Sequence, residues 1–193
     1  MTPTLNPPRF RGAPPTSEHP ILFSSPMVRA ILEGRKTMTR RIVKPQPKHR
    51  LIKATNSRWY DADCVNPGVE VKCPYEGRLC VRETFSISGN GYFYRADVKQ
   101  PETVKYSWKP SILMPRAASR ITLEITGVKA ERLQSMSSMD YIQEGIQSSP
   151  AKHWYHAPDA REKFEKLWDS LNAKRGFGWR ENPWVWVISF RKL

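Results

Sequence analysis

The C-terminal end of the chain constrains its fold most. Trp184-Val-Trp-Val-Ile-Ser-Phe190 is a run of aromatic and β-branched side chains broken by one hydroxyl. It is too apolar and too β-prone for an exposed edge, where unpaired backbone groups recruit other chains. It predicts a central strand, and a central strand needs neighbours. Ile121, Leu123 and Ile125 alternate with Thr122, Glu124 and Thr126, the period of a half-buried strand. Ile21–Phe23, Arg78–Phe85 and Gly91–Ala96 are further strand candidates. Between them lie short helices with their punctuation in place. Ser25 can cap a first helix, Pro26 suits its first turn, Val28, Ile31 and Leu32 share a face, and Gly34 supplies a left-handed stop. Ser137 opens a Ser-x-x-Asp capping box whose helix should end at Gly145. Asp159–Asn172 is amphipathic, with Phe164, Leu167, Trp168 and Leu171 as its core face. Strands dispersed among short helices, with no regular βαβ alternation, predict an α+β domain around a curved, mostly antiparallel sheet.

The chain's 193 residues favour one domain. Residues 1–20 hold six of the 17 prolines and few large apolar side chains, which predicts a flexible tail before a single domain over 21–193. No apolar run approaches the roughly 18 residues of a membrane span, and the N-terminus has no apolar core of a secretory signal. The three cysteines, Cys64, Cys73 and Cys80, make no complete disulfide framework and suit a reducing cytoplasm.

Charge is the second constraint. There are 32 Lys and Arg against 18 Asp and Glu, a net charge of +14. A surplus of that size is the electrostatic footprint of a protein that meets polyanions such as nucleic acid. It is unevenly placed. From Gly34 to Tyr60 there is no acidic residue, yet the stretch carries Arg35, Lys36, Arg40, Arg41, Lys44, Lys48, Arg50, Lys53 and Arg58. Pro45 and Pro47 prevent one long helix there, so a strand or turn followed by a basic loop is expected. Residues 61–77 and 97–119 read as irregular. Trp59, Trp108, Trp154 and Trp179 fall in such segments, where they either pack loops over the core or stack on bases, whereas Trp168, Trp184 and Trp186 belong to the core.

Several machineries are excluded. There is no G-x-x-x-x-G-K-[ST] loop, no G-x-G-x-x-G and no zinc-deaminase pattern. His153 and His156 lack a third ligand nearby, and no Cys-x-x-Cys occurs, so no metal site and no cofactor is expected.

The remaining motif is Gly34-Arg35-Lys36-Thr37-Met38-Thr39-Arg40-Arg41, or G-x-K-x-x-x-x-R directly after the first helix. It resembles the signature of the ASCH domain, a PUA-like β-barrel associated with RNA. Residues 19–47, 73–85, 114–134 and 182–193 look like the longer ASCH-like proteins of phages and prophages, so the likeness covers most of 19–193. It implies a PUA-like β-barrel with short flanking helices and long inserted loops near 44–77 and 86–118. Small bacterial members of this family are amidohydrolases that remove acetate from N4-acetylcytidine with a Lys, a Thr three positions later and a Glu on a helix after a central strand. By that resemblance Lys36, Thr39 and Glu144 are the catalytic set. Arg41, with Gly34 and Glu83, joins them as a substrate-binding residue, Glu83 being either a second cleft carboxylate or the ion-pair partner of Arg82 or another cation. The chain also departs from its relatives. Glu76-Gly77-Arg78-Leu79-Cys80 stands where a Pro-Gly-Asp turn and a Trp are usual, and Leu113 and Ala117 replace a His and a Trp.

Two chemical schemes fit these residues. A lysine of lowered pKa could deprotonate Thr39, or Glu144 could activate water while Lys36 and Thr39 bind the oxyanion. A strict strand from Lys36 to Arg41 would put Thr39 and Arg41 on one face and Lys36 on the other, so a Lys–Thr pair needs a turn just after Gly34. The expected partner is a modified cytidine, free or in RNA, with no membrane and no obligate protein partner. A non-catalytic RNA-binding module and an RNA-cleaving enzyme are the alternatives.

Overall fold

In the computed structural model the described residues are 17–62, 68–89, 91–98, 106–147 and 159–193. The expected strand at the C-terminus is β10, Trp184–Lys192, and it lies inside a five-stranded sheet. The other strands of that sheet are β1 (Glu18–Leu22), β2 (Met38–Ile42), β6 (Arg78–Arg82) and β9 (Thr122–Arg132), in the order β1-β6-β9-β10-β2. β10 runs antiparallel to β9, from Trp184 opposite Arg132 to Lys192 opposite Leu123, and antiparallel to β2, from Val185 opposite Ile42 to Ser189 opposite Met38. Among the described residues only β1 and β6 pair in parallel.

The uniform apolarity of β10 has a direct cause. Trp186, Ile188 and Phe190 point into one core with Ile21, Phe23, Val28, Leu79 and Leu123. Val185 and Val187 point the other way, into a second core with Leu133, Tyr141, Phe164, Trp168 and Trp179. A strand covered on both faces loses the apolar–polar alternation of a half-solvated one. The fold is therefore α+β with a mostly antiparallel sheet. Among the described residues its pairings do not close, since β1 and β2 are its two edges.

The basic loop expected after β2 is more ordered than its composition suggests. β3 (Arg50–Lys53), β4 (Trp59–Ala62) and β5 (Val69–Val71) form a separate antiparallel sheet. Leu51, Trp59, Ala62 and Val71 are buried, whereas Arg50, Lys53 and Arg58 face outward. The Trp59 ring meets Trp186 edge-on at 5.3 Å, so the small sheet docks on the main one through an aromatic pair. The second inserted segment holds the hairpin β7 (Phe85–Ser88) and β8 (Gly91–Tyr94). At the N-terminal end, β1 begins at Glu18, inside the segment expected to be a tail, because Ser17 and the residues after it pair with the edge of β6.

Three helices complete the frame. α1 spans Ser25–Leu32, and its N-cap is Ser24 rather than Ser25, without a side-chain hydrogen bond. α2 spans Ser138–Gln143 and has the full capping box: Asp140 N–H donates to Ser137 Oγ, and Ser137 N–H donates back to the Asp140 carboxylate. α3 spans Ala160–Asn172 and buries Phe164 and Trp168 as its periodicity requires. Leu171 corrects that expectation: it is 55 % exposed, while Asn172 beside it is buried. Among the described residues no helix is long and apolar enough to cross a membrane.

Candidate active site

The site is assembled by two glycine turns. Gly34, at φ +73°, ends α1 and reverses the chain, after which the N–H groups of Arg35 and Lys36 both donate to Ala30 O at 2.9 Å. Lys36 then makes an isolated antiparallel bridge with Glu144, and Thr37 N–H donates to Gln143 O. The turn after Gly34 thus delivers Lys36 to Glu144 rather than to Thr39. Gly145, at φ +86°, lies where a Cβ would come within 2.9 Å of Ala30 Cβ and 3.0 Å of Lys36 Cβ. Both the backbone angle and the space exclude a side chain. Gly145→Ala should therefore destabilise the fold by at least the 1–2 kcal/mol or so of a left-handed L-residue, measurable by denaturant unfolding. Gly34→Ala meets no such contact and should cost less.

That close approach puts Lys36 against Glu144, 108 residues later in the chain. The Lys36 ammonium donates to Glu144 Oε2 at 2.6 Å and to the Glu144 carbonyl at 2.8 Å, entirely out of solvent. Glu144 is the C-cap of α2, where the helix dipole disfavours an anion. Lys36 and Arg40 offset that penalty, Arg40 donating to Glu144 Oε1 at 3.2 Å. Arg40 was not foreseen as a site residue, yet it is the hub. With its side chain 1 % exposed, its guanidinium also reaches Glu131 at 2.7 Å and Asp140 at 3.0 Å. Glu131 is further paired with Lys129 at 2.8 Å. Three carboxylates thus face three cations, which is the condition for burying charge at tolerable cost.

Burial pushes the Lys36 ammonium below its ordinary pKa, with Glu144 pulling the other way and Arg41 and Arg40 adding to the lowering. The unfolded chain therefore binds more protons between the folded value and the ordinary one near 10.5, so this group makes stability rise with pH across that window. Denaturant unfolding at several alkaline pH values should show the rise in the wild-type chain, and Lys36→Met should flatten it.

Thr39 and Arg41 occupy the other face of β2. Thr39 is buried, and its Oγ1 accepts from Arg41 Nη1 at 2.8 Å. Lys36 donates to Glu144 while the Thr39 hydroxyl is taken by Arg41, so no hydrogen bond joins the expected Lys–Thr pair. Arg41 also donates to the carbonyls of Arg40 and Leu22, and its guanidinium lies 5.1 Å from the Phe23 ring centre. All these acceptors are neutral, and Glu144 acts on its charge from beyond hydrogen-bond distance. Tyr75 stands nearby; burial pushes its phenol up, and Arg41 pulls it down.

Arg41, Glu144, Tyr75 and Phe23 open on a cleft of about 710 Å³, within the usual size of ligand sites. Lys44, Leu167 and Leu171 of α3, and Arg175 just beyond it complete its far wall. This explains the exposure of Leu171, which faces the cleft. Lys36 and Thr39 lie behind the wall rather than in it.

Other expected site residues fall elsewhere. Gly34 is exposed and serves as a turn. Glu83 is buried outside the cleft, and its partner is Arg120 rather than Arg82. Arg120 forks between Glu83 and Asp97 and stacks 3.9 Å from the Tyr94 ring centre, so it neutralises Glu83 from behind. Leu113 and Ala117 are exposed and do not line the cleft. Cys64, Trp154, His153 and His156 lie outside the described residues. Comparison with family models, with characterised proteins and with solved structures gave no match to this chain.

Proposed function

We propose that the protein is an amidohydrolase that removes the acetyl group from N4-acetylcytidine, or from a closely related N-acylated pyrimidine, without a metal. The observation that carries this reading is the Glu144 carboxylate, fixed by Lys36 and Arg40 at the wall of a cleft that also presents Arg41, whose hydrogen bonds go to neutral acceptors. A carboxylate aimed into a cleft can take a proton from water, and a neighbouring cation can hold the oxyanion formed at the amide carbon. Water attacks the carbonyl carbon and Glu144 receives its proton. The carbon–nitrogen bond then breaks, and Glu144 returns the proton to the departing cytosine amine. The products are acetate and cytidine, and the site is regenerated.

The hydrogen bonds favour this scheme over Thr39 as nucleophile. Lysine activation of Thr39 would need Lys36 within reach of the hydroxyl, whereas Lys36 is committed to Glu144 and the hydroxyl to Arg41. Lys36 and Arg40 are then positioning residues for Glu144, Thr39 positions Arg41, and the Tyr75 hydroxyl is a candidate donor to the substrate.

The reading carries with it a PUA-like fold and a cytoplasmic setting. The first helix, the Gly34 turn and the central β10 support the former, in which the five-stranded sheet, open among the described residues, would be the main wall. Incubating purified protein with N4-acetylcytidine, as nucleoside and within an RNA, should release acetate from at least one of them. Release from neither would leave the second reading, a non-catalytic RNA-binding module, which the net charge of +14 favours. That module would show RNA binding that weakens steeply with salt.

A further inference from the structure

The cleft accounts for little of the molecule's charge, since one nucleoside needs no surplus of +14. Beside the cleft is a feature that the chemistry does not use. The β7–β8 hairpin carries Tyr92 and Phe93, 40 % and 41 % exposed. The Phe93 ring lies 5.7 Å from Tyr106, and Tyr106 lies 4.9 Å from Trp108. The Arg95 guanidinium sits 5.4 Å from the Trp108 ring centre, and Lys109 next in the chain is exposed. A single exposed aromatic is ordinary, but an exposed Phe93 leading a row with the half-buried Tyr106 and Trp108, beside the exposed Lys109, is a composition that holds unpaired bases and their phosphates.

The row is also anchored at the cleft. Phe85 and Lys109 exchange backbone hydrogen bonds at 3.2 and 2.7 Å. Their near neighbours Thr84 and Ser111 both stand in the cleft wall. The aromatic surface therefore begins where the cleft ends.

We infer that the Phe93–Tyr106–Trp108 row is a base-stacking platform that holds single-stranded RNA flanking a target cytidine in the cleft. The inference rests on the proposed acylcytidine chemistry for its choice of a ribonucleotide chain. The occupant follows from charge complementarity between a strongly basic protein and a polyanion, and from ring faces that suit any base. A duplex keeps its bases stacked on each other and offers none to the row.

The test is fluorescence anisotropy with a labelled, unmodified, cytidine-containing RNA of about 12 nucleotides, a length suited to one binding groove, alongside the corresponding duplex. Phe93→Ala should weaken single-strand binding about 5- to 150-fold. Phe93→Leu keeps an apolar side chain without a π face and should weaken it similarly, whereas Phe93→Trp should retain it. The duplex should bind the wild-type chain more weakly than the single strand. Wild-type affinity in Phe93→Leu would overturn the inference. So would a wild-type dimer, seen by sedimentation, that Phe93→Ala disperses, because the row would then serve a second copy of the chain. Acetate release by the wild-type chain, measured separately, scores the cleft chemistry. Ring-dependent RNA binding without acetate release would uphold the platform and remove only the catalytic reading.

Discussion

Arg40→Met is expected to destabilise the protein by about 3–5 kcal/mol, the usual loss when one partner of a buried ion pair is removed. The side chain sits among Glu131, Asp140 and Glu144, and nothing in its place can donate to all three. Lys36 would remain on Glu144 and Lys129 on Glu131, which leaves Asp140 without a cation. Methionine fills much of the same volume, so the loss reports charge and hydrogen bonding more than a cavity. For a chain of this length it corresponds to a fall in Tm of roughly 6–20 °C. Arg40→Lys should recover part of the loss, since one ammonium cannot span three carboxylates as a planar fork does. A loss below about 1 kcal/mol, the range of exposed pairs, would mean that the cluster is not the buried network described.

How much of this was legible in the sequence follows from individual residues. β10 was readable because burial on both faces leaves no polar alternation to confuse the pattern. α2 was readable because its capping box is local. The family resemblance put Lys36 and Glu144 in one set but did not pair them with each other. Across a separation of 108 residues no spacing rule could supply that pairing. Arg40 was missed because in a basic stretch every arginine looks like a solvated charge. One signal was present. A strand beside one buried on both faces has little solvent to offer its inward residues, so an inward arginine there must find carboxylates. The small β3–β4–β5 sheet was missed because Pro, Gly and charge suggest a loop, and only the fold shows Leu51, Trp59 and Val71 packing into the core of Trp186. For Glu83 the strand left two readings, a cleft carboxylate or an ion-pair partner, and the fold gives the second, with Arg120 as the cation. The cleft itself could not be read, because α3 closes it from the distant end of the chain.

The second large effect concerns Glu144 directly. Glu144→Gln keeps the size of the side chain and an acceptor for Lys36, but it removes the group that takes the proton from water. General-base catalysis is worth about 10²–10⁴-fold, so that is the expected loss in kcat. Substrate affinity should hold, because Arg41, Tyr75 and Phe23 still line the cleft. Thr39→Val should cost far less, since in this account Thr39 only positions Arg41. The decisive measurement is the initial rate of acetate release from N4-acetylcytidine by wild-type, Glu144→Gln and Thr39→Val proteins, each shown by thermal unfolding to be folded. The account predicts release by the wild-type protein, near-silence in Glu144→Gln and modest change in Thr39→Val. Wild-type rates in Glu144→Gln, or silence in Thr39→Val alone, would contradict it.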